Sequence, residues 1–186
     1  PYVLVGHSMG GFTVIVYAHD YPDEVSGLVL VDTQDLPTSN VATYRPAPKP
    51  GGTPIPALLA RIGLVRLLGG PLGSVENLPD GDKQAYTAFA VAPRSVQTFI
   101  DELKGMPEGG AQARAVTSLG SLPIIVLSRG KDQDAKHTAA QTALLQLSTN
   151  SQQLFAEQSG HPIHIEQPQD AIAAIVKMVE IVLQAI

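Results

Sequence analysis

The chain has 186 residues, 44% of them hydrophobic and 16% charged, a balance that suits one sizeable globular core or a core with a smaller second unit. A net charge of -5 without a run of like charges argues against nucleic acid as a partner, and no apolar stretch reaches the ~18 residues of a membrane span, so stable membrane insertion is not expected. With no cysteine in the chain, disulfides and thiolate metal sites are excluded.

Tyr2 to Val5 is a short β-branched run that predicts a buried strand. It enters Gly6-His7-Ser8-Met9-Gly10, a G-x-S-x-G pentapeptide, and apolar residues at helical spacing (Phe12, Ile15, Val16) follow until Pro22. A strand, a tight glycine-flanked turn and a helix form the setting in which a serine stands exposed on a sharp elbow. Such a turn strains the serine backbone and requires residues without bulk two positions before and two after it. Ser26 to Asp32 predicts a second strand, whose unbroken aliphatic run suits a parallel sheet covered on both faces. From Asp35 to Pro56 the pattern becomes a long loop rich in Pro, Thr and Gly.

Amphipathic helices are expected over Ile55–Leu68, around Asp82–Val91, from Pro93 to Lys104 and, shorter, over Gly109–Leu119. Pro123 to Ser128 predicts a third strand. A helix over Ala135–Leu147 should bury Ala139, Ala140, Ala143, Leu144 and Leu147. A last strand covers Gln153–Ala156, and a helix starting at Pro168 carries an apolar stripe of Ile172, Ile175, Val176, Val179 and Leu183. This order of elements is that of the C-terminal half of a doubly wound α/β fold. The expected core is residues 1–34 and 120–186, with 35–119 inserted between two core strands.

The run Val5-Gly6-His7-Ser8-Met9-Gly10-Gly11, in its strand-and-helix setting, resembles the α/β-hydrolase superfamily and within it the serine esterase and lipase branch. The segment Gly160-His161-Pro162-Ile163-His164-Ile165-Glu166-Gln167-Pro168 is similar to the family's G-H-x-x-H-x-E-x-P stretch. The resemblance implies a serine carboxylesterase or lipase-like hydrolase that cleaves esters of short to medium acyl chain through an acyl-enzyme. Ser8 would be the nucleophile, His161 the base and the Met9 amide one oxyanion donor. His7 would line the substrate pocket, and residues 35–119 would form a helical cap over the acyl site. His164 reads as structural, and His19 and His137 as solvated helix residues.

For the orienting acid the resemblance implies a position after the third strand here, where Gly130 precedes Asp132 and Asp134. With one inserted residue Asp134 is the better match. Asp32, directly after the second strand, is the alternative, because some members place the acid there. Asp132 and Asp35 read as turn and helix-cap residues. No metal site and no cofactor are expected, and the partner is a small-molecule ester.

In the family the elbow follows the fifth strand. The resemblance therefore implies that four strands, and the loop supplying a second oxyanion amide, lie outside these residues. The first strand would then offer an edge for self-association or for a complementing N-terminal half. Other readings of the same motifs are a catalytically impaired fragment, a small-molecule-binding protein of this fold, a serine peptidase and a carbon–carbon bond hydrolase.

Overall fold

The computed structural model describes residues 1–35, 55–64, 75 and 78–185. The four aliphatic runs are strands, β1 (Tyr2–His7), β2 (Val25–Val31), β3 (Ile124–Arg129) and β4 (Ser151–Ala156). They form one sheet in the order β1-β2-β3-β4, with each neighbouring pair parallel. Val5 lies beside Val29, Val29 beside Ile125 and Ile125 beside Gln152. A parallel sheet in sequence order needs a crossover between each pair of strands, and the helical segments of the sequence provide them. The inner strands are buried from Leu28 to Val31 and from Ile124 to Leu127, which is why both phases of their sequence are aliphatic. Among the described residues β1 and β4 are the sheet edges, and Tyr2 and Val5 on β1 are exposed.

Among the described residues the helices are α1 (Gly10–Asp20), α2 (Ile55–Arg61), α3 (Asp80–Ala90), α4 (Pro93–Ala115), α5 (Ala135–Leu144), α6 (Ile163–Glu166) and α7 (Pro168–Gln184). Single 3-10 turns cover Pro22–Glu24 and Leu145–Leu147. The loop expected over Asp35–Pro56 and the end of the helix expected to reach Leu68 fall largely outside the described residues. Ile55 and Leu58 in α2 and Ile62 just after it, expected on a packed face, are exposed. The two helices expected over Pro93–Lys104 and Gly109–Leu119 are one helix of 23 residues, which continues through Pro107. The proline removes a single N–H from the ladder, and the helix carries on with Gly110, Ala111 and Ala113 buried beyond it.

The chain divides into two compact units, Pro1–Tyr44 with Pro107–Ile186, and Arg45–Met106. The second is narrower than the insertion of 35–119 expected from sequence, because the last part of α4 belongs with the sheet. A Cβ added at Gly109 would touch the Phe12 ring, and the Leu119 N–H donates to the Leu147 carbonyl.

Within the first unit the sheet is covered by α7 on one face. Val29, Val31, Ile125 and Leu127 join Ala171, Ala174 and Met178 of that helix in one buried cluster. The stripe expected for α7 is therefore only partly the inner one: Ile175 packs against this cluster as expected. Ile172, Val176, Val179 and Leu183 are exposed, and the small residues Ala171 and Ala174 face the sheet, where they let the helix approach closely. In α5 the departure is also partial. Leu144 is buried as expected, as is Leu147 just beyond the helix, but His137 and Gln141 take the inner face in place of the expected Ala139, Ala140 and Ala143. Gln141 is tolerated inside because it is fully engaged. Its amide donates to the Thr33 carbonyl (2.7 Å), and its oxygen lies 3.5 Å from the Ser128 hydroxyl.

Candidate active site

Ser8 follows the last residue of β1, and Met9 alone separates it from the helix start at Gly10. Its N–H donates to the Val31 carbonyl (3.1 Å), and its own carbonyl accepts from Gly11 (3.1 Å) and Gln34 (3.2 Å). These bonds hold it at φ 54°, the left-handed region that a non-glycine residue enters at a cost of about 1–3 kcal/mol. The expected strain is thus present. The expected pair of glycines is not the pair that matters. A Cβ at Gly6 would lie 2.7 Å from the Gly10 carbonyl oxygen and one at Gly11 would run into the Thr33 side chain, while at Gly10 nothing lies within 4 Å. The close approach is made by Gly6 and Gly11, because the helix turns its second glycine, not its first, towards Thr33. Met9 has helical angles and caps α1, so its amide stands among the first N–H groups of a helix, which lack intrahelical acceptors.

His161, in the loop after β4, bridges two partners. Its Nε2 is 3.0 Å from Ser8 Oγ and its Nδ1 is 2.5 Å from Asp32 Oδ2. A carboxylate only accepts, so Nδ1 carries the proton and the neutral ring offers Nε2 as acceptor to the serine hydroxyl. The loop is pinned from α6: Glu166 accepts from the Gly160 N–H at 2.6 Å, and the Ser159 hydroxyl lies 3.3 Å from it. The sequence pattern contains Glu166, six residues after Gly160, and the fold gives it the role of holding this loop.

Asp32 follows β2 and is buried, also at positive φ (40°). Burial would raise its carboxyl pKa. The hydrogen bonds from His161 and from the Arg129 N–H, with the charges of Arg129 and His137, outweigh burial and hold it below the usual range. The acid expected first, Asp134, is placed elsewhere. It caps α5 by accepting the His137 N–H at 2.7 Å, and that bond keeps its carboxyl ionised below the usual range. The spacing after β3 therefore produced a helix cap, and the carboxylate on His161 is the alternative, Asp32. Asp132, at φ 54°, is a turn residue whose carbonyl accepts from Arg129.

Among the other histidines, His137 departs from expectation. His19 is exposed beside Asp20, as a solvated helix residue should be. His137 is buried, with Nε2 3.0 Å from Asp32 Oδ1 but out of line for a hydrogen bond. His7 donates from Nε2 to the His161 carbonyl (3.0 Å), and its ring meets those of His161 and His164 at 4.7 and 4.5 Å. Burial lowers the pKa of His7, which leaves its ring neutral at pH 7. Among the described residues no cluster of His, Asp and Glu could hold a metal ion.

A family model described as "Alpha/beta hydrolase family" matches residues 1–175. The chain belongs to the alpha/beta hydrolase family. Solved structures agree on the fold. N-formylmaleamic acid deformylase from Pseudomonas putida S16 is 19% identical, with 93% of this chain and 65% of that one covered at a TM-score of 0.59. Cfl2 from Burkholderia cenocepacia is 20% identical, with 95% and 64% covered at 0.63. The CarC serine hydrolase involved in carbazole degradation is 19% identical, with 96% and 63% covered at 0.60. The chain thus spans just under two thirds of the length of each of these hydrolase-fold proteins.

Proposed function

We propose that this alpha/beta hydrolase chain is a serine hydrolase that cleaves carboxylic esters of short to medium acyl chain. The observation that carries the reading is the unbroken relay from Ser8 Oγ through the His161 ring to the buried Asp32 carboxylate. The serine hydroxyl alone is a weak nucleophile. As Ser8 Oγ attacks the ester carbonyl carbon, its proton passes to His161 Nε2, and Asp32 stabilises the imidazolium. The negative charge on the carbonyl oxygen is taken by the Met9 N–H. The tetrahedral adduct collapses, His161 returns the proton to the departing alcohol, and Ser8 is left acylated. Water then repeats the sequence and releases the acid. The likeness to a protein named a serine hydrolase fits this reading.

The test is hydrolysis of a chromogenic butyrate ester by the wild-type chain and by Ser8→Ala, with a laurate ester to read chain-length preference. The expected result is turnover of butyrate that falls on the order of 10⁴-fold or more in the variant. Equal rates in the two proteins would remove Ser8 from the chemistry. No turnover in either, from folded protein, would turn the reading towards a ligand-binding member of the fold.

A further inference from the structure

The acyl-transfer scheme uses one edge of the Asp32 carboxylate, and the structure supplies a second set of contacts that it leaves idle. Arg129, at the end of β3, gives its backbone N–H to Asp32 Oδ1 (3.3 Å) and its Nη1 to Asp32 Oδ2 (3.1 Å), the oxygen that also receives His161. Its Nη2 reaches the Asp132 carbonyl at 3.2 Å, so the guanidinium is held between Asp32 and Asp132, and its backbone carbonyl accepts the Gln133 amide. The ion pair is mostly buried, with the arginine side chain 20% exposed and Asp32 fully covered, and among the described residues the arginine Nε finds no partner. A buried pair with an orphaned donor is a poor way to gain stability, which favours a role for it in the site.

We propose that Arg129 is a positioning residue for this site: it fixes the ionised Asp32 against His161 and, by offsetting its charge, sets the pH at which His161 can act as a base. The inference rests on the reading of Ser8, His161 and Asp32 as the reacting groups. The neighbouring charges do not replace it. Lys136 on α5 pairs with Asp35 at 3.4 Å, and Asp35 also faces His137 Nδ1 at 3.7 Å. His137 meets Asp32 without a hydrogen bond, and Asp134 is occupied as a helix cap. The His7 ring lies against that of His161 and also meets His164, while Glu166 is engaged by the Gly160 N–H. Asp132 approaches Gly160 but meets Arg129 through its carbonyl. Among the described residues, Arg129 is thus the permanent cation in contact with Asp32. Without it the site is more negative, and the imidazole holds its proton to higher pH.

The experiment follows the ring titration of His161 by NMR, with the pH profile of kcat/KM beside it, in wild type, Arg129→Met and Arg129→Lys. In Arg129→Met the titration midpoint and the acid limb should both move up by about one pH unit, with kcat falling more than KM changes. Arg129→Lys should return both most of the way. A folded Arg129→Met whose midpoint stays at the wild-type value overturns the proposal, as does a fall in rate with the limb unmoved. If Arg129→Met does not fold, Arg129→Gln removes the charge while keeping a donor and is read by the same two outcomes. Retained activity in Ser8→Ala would defeat the acyl-enzyme reading, while the His161 titration would still decide the role of Arg129.

Discussion

Asp32 and Asp134 show how far residue-level reasoning reaches. Both follow a strand, and both end with their carboxyl pKa below the usual range, yet for different reasons: Asp32 lies buried against His161 and Arg129, and Asp134 accepts a helix N–H at the surface. Spacing cannot separate these, because the deciding feature is the left-handed turn at Asp32 that follows the strand. Substitution can. In Asp32→Asn the amide is able to donate to His161 Nδ1, which moves the ring proton to Nε2 and leaves Ser8 without an acceptor. The expected loss is on the order of 10³–10⁴ in kcat. Asp134→Asn should leave the rate near wild type, since asparagine caps a helix about as well as aspartate. Ester hydrolysis at fixed pH, with circular dichroism to confirm folding, reads both. The reverse pattern would return the acid to the turn after β3.

The elements were legible where hydrophobicity alone decides them. β2 and β3 are buried on both faces and were continuous aliphatic runs in the sequence. The inner faces of α5 and α7 depart from expectation for different reasons: α5 was expected to bury Ala139, Ala140 and Ala143, and α7 the branched residues Ile172, Val176, Val179 and Leu183. In α5 a hydrogen-bonded glutamine and a histidine beside Asp32 point in, and in α7 Ala171, Ala174 and Met178 do, with Ile175 partly buried against the same cluster. Burial of a satisfied polar group, or of a small residue that permits close packing, leaves no hydrophobic period to read. The elbow was found from its motif, but which glycines it needs depends on what stands opposite them. Gly11→Ala would press a methyl into the Thr33 side chain, and overpacking of this kind typically costs about 1–3 kcal/mol. Gly10→Ala meets open space and should be close to neutral. Urea denaturation of the two variants checks the contrast. Equal destabilisation would mean that the helix start, rather than the contact with Thr33, makes the demand.

At the scale of the whole molecule the parallel sheet and its helical layers could be read from the order of elements, whereas the fit of α7 on the sheet could not. That fit centres on Met178, fully buried in the cluster formed with Val29, Val31, Ile125 and Leu127. Opposite it, β2 has a glycine. A Cβ at Gly27 would overlap the Met178 sulfur and approach its Cγ to 3.0 Å, so the thioether occupies the space that a side chain at position 27 would take. Met178→Ala should leave a cavity there and cost about 2–5 kcal/mol. Gly27→Ala alone should also destabilise, less severely, because the flexible end of a methionine can yield. Combined, the two substitutions no longer compete for the same volume, and the new methyl fills part of the cavity. The double variant should therefore be more stable than the sum of the single effects by about 0.5–3 kcal/mol. Chemical denaturation of the four proteins measures the cycle. Strict additivity would show that Gly27 is required by the strand and not by the helix packed over it.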